Sequence, residues 1–145
     1  MKILNKAILT GACVMALNAF AAPAPASNNN TEPAANNSPD ISGNYQCQGY
    51  DPYGKSNYAN PVTITRNGNT FTFQWLTTKG YPFILGTGVF NTDLNNAVSV
   101  VFWDPKKADY FGTEIFVIKP DGSMSANWTL QGENQVGTES CTKKS

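Results

Sequence analysis

From Ile41 onward the chain alternates apolar and polar residues with a period of two, the repeat of a strand buried on one side. Ile41, Gly43, Tyr45, Cys47 and Gly49 share one face of a first strand, and Ser42, Asn44, Gln46 and Gln48 share the other. Val62 and Ile64 alternate with threonines up to Arg66. Asn67-Gly68 follows, a pair that tolerates the positive φ of a type I′ hairpin turn. The return strand carries Phe71, Phe73 and Trp75 on one face. The same alternation predicts strands over 81–90, 97–103 and 110–119. Pro120-Asp121-Gly122 then turns the chain into 123–130, where Met124, Ala126, Trp128 and Leu130 line up, and 136–142 completes the run. No stretch of this region has a helical period.

Eight short antiparallel strands joined by tight turns predict an all-β domain, an up-and-down barrel with a β-sandwich as the alternative. Gly86, Gly88, Gly112 and Gly137 fall in or beside predicted strands, where glycine marks coiling or close packing, and closure of a barrel needs both. Cys47 and Cys141 lie in the first and last strands. A disulfide between them would tie the sheet to itself, which favours the barrel. The interior of an eight-stranded barrel is filled by side chains or holds one small ligand.

The first 21 residues read as a secretory signal peptide. Lys2 and Lys6 form a positive start, residues 7–20 are mostly apolar but too short to span a bilayer, and Ala19-Phe20-Ala21 fits a small-x-small cleavage site. Thr10-Gly11-Ala12-Cys13 loosely resembles a lipidation box, but only six residues separate Lys6 from Cys13 and the apolar run continues past it. Cleavage after Ala21 leaves Cys47 and Cys141 as the cysteines of an exported protein, periplasmic or secreted, where such a pair forms a structural disulfide. Closing a loop of that length stabilises by on the order of 4 kcal/mol if the bond acts by restricting the unfolded chain. Residues 22–39 hold no apolar side chain larger than alanine and read as a disordered tether, leaving 40–145 as one domain. No second hydrophobic segment follows, so no integral membrane segment is expected once the leader is gone.

Loss of Lys2 and Lys6 would leave eight Lys and Arg against ten Asp and Glu, a net of −2, with no basic run beyond Lys106-Lys107 and Lys143-Lys144. That argues against nucleic acid or an anionic membrane as partner. The chain contains no histidine, which excludes Ser-His-Asp and Cys-His catalysis and histidine-bearing zinc sites. Carboxylates remain. Asp51, Asp93, Asp104, Asp109 and Asp121 lie in or beside turns, where Asp hydrogen-bonds its own backbone. By period two, Glu114 shares a face with Phe116 and Glu139 shares one with Cys141. If that phenylalanine and the disulfide point inward, so do both glutamates. Arg66, on the face of Val62 and Ile64, could neutralise one of them, since buried charges need partners.

Tyr50, Tyr53 and Tyr58 cluster around residues 51–60, read as a loop at a barrel rim, and with Trp128 they complete the candidate ligand-binding residues. Residues 91–96 and 104–109 are acidic but lack the spaced oxygens of a calcium loop, so neither a metal nor a cofactor is expected. The sequence thus points to a non-enzymatic exported binding module that holds a small apolar or amphipathic molecule, with Glu114, Glu139 and Arg66 orienting it. A protein-binding role through the tyrosine-rich loops, as a hydrolase inhibitor or host-surface binder, is the second reading. A carboxylate-dependent glycosidase built on Glu114 and Glu139 is the third.

The stretch Val98-Ser-Val-Val-Phe-Trp103, then Gly112-Thr-Glu-Ile-Phe-Val-Ile-Lys-Pro-Asp-Gly122, Asn127-Trp128 and Val136-Gly137-Thr138 resembles the strand and tryptophan rhythm in the C-terminal half of avidin, within the calycin group of small exported barrels. The likeness covers about 45 residues and implies barrel architecture. It does not extend to a biotin site, and the first strand reads Gly43-Asn44-Tyr45 where lipocalins carry Gly-x-Trp.

Overall fold

A computed structural model describes residues 39–91 and 93–145. The expected signal peptide, and the expected tether up to residue 38, lie outside the described residues. The described chain forms β1 (Gly43–Asp51), β2 (Ser56–Asn67), β3 (Thr70–Leu76), β4 (Pro82–Phe90), β5 (Ala97–Asp104), β6 (Lys107–Ile118), β7 (Met124–Leu130) and β8 (Gly137–Lys143). Each strand pairs antiparallel with the next, and β8 returns to β1, so the sheet is a closed barrel in strand order. Closure removes both free edges. Among the described residues no helix is long and apolar enough to cross a membrane.

Cys47 and Cys141 are register partners across the β1–β8 seam and form the expected disulfide. Both are buried, so the bond lies inside the barrel. The period-two faces follow the sequence reading. Tyr45, Cys47, Val62, Ile64, Phe71, Phe73 and Trp75 point inward, and so do Phe116, Met124, Ala126 and Trp128. One end is packed solid. Phe73 stacks on Phe116 at 5.4 Å between ring centroids and on Trp75 at 5.8 Å. Below them Phe71 meets Phe90 edge-on at 5.5 Å. Tyr45, fully buried, donates its hydroxyl to the Ile41 carbonyl at 2.9 Å, so its one polar atom is satisfied at the floor.

Two local readings change. Residues 51–60 do not form a rim loop. β1 runs to Asp51 and β2 starts at Ser56, so the connection is only residues 52–55. The Asp51 carboxylate tightens it by accepting the Tyr53 N–H at 2.8 Å, and Lys55 takes a positive φ of 49°. The β2–β3 turn also sits one residue later than Asn-Gly predicts. Asn67 and Thr70 are register partners, so Gly68-Asn69 are the two central residues. Gly68 has φ 60° and Asn69 is not among the positive-φ residues, which is the type II′ arrangement with glycine first.

Candidate functional site

The end of the barrel opposite Ile41 is open. There the inward positions of β1, β2, β3, β5, β6, β7 and β8 bring Asp51, Tyr58, Trp75, Phe102, Glu114, Trp128 and Glu139 around a cavity of about 200 Å³. Ser56, Asn60, Phe83, Ile84 and Tyr110 complete its wall and rim. Small residues make the space. Register partners Gly49 and Tyr58, Gly112 and Phe102, and Gly137 and Trp128 each put a large ring beside a glycine of the adjacent strand. A Cβ on Gly137 would lie within the Trp128 indole, and one on Gly112 would meet the Phe102 ring and the Thr129 carbonyl. Rings flattened against glycine leave the barrel axis clear at this end.

Both glutamates point inward, each only 3% exposed. Their surroundings differ. Glu139 sits in a chain of donors. The Trp75 indole N–H donates to its two oxygens at 3.2 and 3.3 Å, and the Tyr58 hydroxyl donates to Oε2 at 3.0 Å. The Trp128 indole N–H in turn donates to the Tyr58 oxygen at 3.1 Å. The Cys141 sulfur lies 3.3 Å from Oε1, and as part of the disulfide it has no proton to give. Burial pushes Glu139 up to about 7, against the opposing pull of Trp75 and Tyr58. Glu114 has no such support. Its Oε1 is buried without any hydrogen-bond partner among the described residues. Burial, and then the field of Glu139 across β7, hold its carboxyl well above the usual carboxylate range. Burial also raises Tyr58 and Tyr110, so both hydroxyls stay neutral at physiological pH.

The two buried glutamates of the cavity are therefore unlike. Glu139, pushed up to about 7, is braced by two donors, Trp75 N–H and Tyr58 O–H. Glu114 is shifted further towards its protonated form and has a buried oxygen with no partner among the described residues. Cys47, Cys141 and Glu139 bring potential metal-ligand atoms together, but the disulfide leaves no thiolate to bind one.

The other candidates separate by depth and by face. Tyr58 and Trp128 are in the site. Tyr53 stands behind it, its ring 5.9 Å from Trp128, and its hydroxyl donates to the Gln135 carbonyl at 2.8 Å, tying the β1–β2 connection to the segment before β8. Tyr50 alternates to the outer face and is 42% exposed. Arg66 does not reach either glutamate. It is exposed at the packed end, its Nε donating to the Gly68 carbonyl at 3.0 Å and its guanidinium over the Phe71 ring at 5.7 Å. Face parity alone placed it inside. Its position beside the turn carries it past the last buried layer. Trp75, Phe102, Asp51 and Tyr110 were missed as site residues, although Trp75 shares its face with Phe71 and Phe73 and that pattern points it inward. No protein-family profile matches the chain, and no curated protein is significantly similar to it.

Proposed function

We propose that this protein is a small-molecule binding module whose ligand enters the open end of the barrel and is oriented by Glu114 and Glu139. The observation that carries this reading is the orphaned Glu114 Oε1. A buried polar atom without a partner costs about 1–3 kcal/mol, and the barrel bears that cost at a cavity wall where a ligand could relieve it. The division of the interior supports the same reading, since one end is packed by rings while the other is left open and lined with polar groups that converge on it. The calycin resemblance fits an exported carrier or sensor of this kind. Hydrolysis draws no comparable support, because both glutamates lie deep in a small cavity rather than along an open cleft.

The test is native mass spectrometry of the disulfide-bonded domain after incubation with the small-molecule extract of its host. A non-covalent adduct should appear that vanishes on denaturation and is lost in Trp128→Ala. If the wild-type domain keeps its bare mass throughout, the binding reading fails.

A further inference from the structure

The donors and acceptors that face the cavity are unbalanced. The donors of the aromatic wall around Glu139 are committed within the protein. Trp75 N–H and Tyr58 O–H are spent on Glu139, and Trp128 N–H is spent on Tyr58. The carboxyls that remain for a ligand are that of Glu114, whose Oε1 is buried deep in the wall, and that of Asp51 at the rim, both of which accept as carboxylates. Three carboxyl groups line the cavity and no lysine or arginine does. The rest of the wall is aromatic. Trp75 and Phe102 lie 6.2 Å apart at 59°, Phe102 and Trp128 6.2 Å apart at 83°, and Trp128 and Tyr58 6.5 Å apart at 60°. Four successive rings tilted in this way form a box with electron-rich walls, the surface that attracts an ammonium group.

We propose that the barrel cavity binds a small organic cation, a protonated amine that gives an N–H to Glu114 Oε1 while the box of Tyr58, Trp75, Phe102 and Trp128 surrounds its charge. This rests on the small-molecule reading above and names the ligand class. The size agrees. A cavity of about 200 Å³ equals roughly six or seven waters in liquid volume and is larger than one known to admit benzene. A compact amine would fit whole. The titratable groups facing Glu114 are Glu139 from β8, Tyr58 from β2, Tyr110 from β6 and Asp51 from β1, and none of them supplies positive charge. An ammonium would therefore be the first cation in the site. Its binding would drive protons off the buried carboxyls, so affinity should rise with pH.

The experiment is isothermal titration calorimetry of the disulfide-bonded domain with benzylammonium and n-butylammonium. Benzyl alcohol and benzoate serve as the neutral and anionic counterparts of matched shape, and the amine titrations are repeated from pH 5.5 to 8. The proposal expects the ammoniums to bind at least about tenfold tighter than the alcohol, with weaker binding at low pH. Titration in buffers of different ionisation enthalpy should show net proton release, a readout that needs no variant. Glu114→Gln should lose about tenfold in amine affinity while keeping a cooperative thermal transition. Equal or tighter binding of the alcohol or benzoate would overturn the cation while leaving the barrel a small-molecule binder. If no probe binds and native mass spectrometry also finds no adduct, both readings fall together.

Discussion

At the scale of single residues, the two buried glutamates make the free protein sensitive to pH in an unusual direction. A carboxyl whose folded value exceeds its unfolded value holds its proton longer in the folded state, so folding is favoured at low pH and weakened as pH rises. Glu139 moves from an ordinary 4.5 to about 7, and Glu114 is shifted in the same direction. Stability should therefore fall between about pH 4.5 and pH 7 and continue falling while Glu114 still holds its proton. Glu139 alone accounts for a loss on the order of 3 kcal/mol. Asp40 and Asp121 are shifted down and act oppositely, but only at more acid pH. Urea midpoints measured from pH 4.5 to 8.5 on the ligand-free domain should decline, and Glu139→Gln should flatten the decline. A flat or rising wild-type profile would mean the glutamates are better solvated than their burial implies.

At the scale of elements, the pairing of ring and glycine across neighbouring strands is what turns a filled barrel into an open one. Gly137 of β8 accommodates Trp128 of β7, and the indole positioned there supports both Tyr53 and Tyr58. Gly137→Ala should force the indole off its seat, lowering stability by about 1–3 kcal/mol as overpacking does. Thermal melts and an adduct search on that variant would check both effects, and an unchanged melting temperature would show that the seam has more slack than the contacts allow. These strands were legible because period two is imposed by the pleat itself: Phe71-x-Phe73-x-Trp75 and Gly137-x-Glu139-x-Cys141 each settle their faces once one member is known to be inside. Depth along the barrel was not legible in the same way. Arg66 and Glu114 both fall on inward faces, yet one lies beside a turn and the other near mid-strand, and only the stagger of the strands separates them. The candidate tyrosines separate for a related reason. Residues 51–60 read as a loop, but the strands run to Asp51 and from Ser56, so alternation sends Tyr50 out and Tyr58 in.

At the scale of the whole molecule, the disulfide and the hydrogen-bonded ladder both close the β1–β8 seam. Replacing both cysteines, Cys47→Ala with Cys141→Ala, should lower stability by on the order of 4 kcal/mol in the chain-entropy account, measured by denaturant unfolding. A loss under about 1 kcal/mol would mean that the ladder alone sets the closure. The barrel architecture could be read from the sequence because strand count, turn chemistry and cysteine placement agreed. The site could be read only in part, because its walls come from all eight strands and its character depends on which donors are taken up by which acceptors, a relation between side chains distant in the chain.

Of the three indoles, Trp75 and Trp128 are built into the cavity wall, while Trp103 is 36% exposed on the outside. The nitrogens of the two inner rings connect to Glu139, one directly and one through Tyr58, so any event at that carboxyl alters the electronic surroundings of both. The protein thus carries its own optical probe. Its ultraviolet emission, after an aqueous quencher has suppressed the outer ring, should follow the protonation of Glu139 without any label.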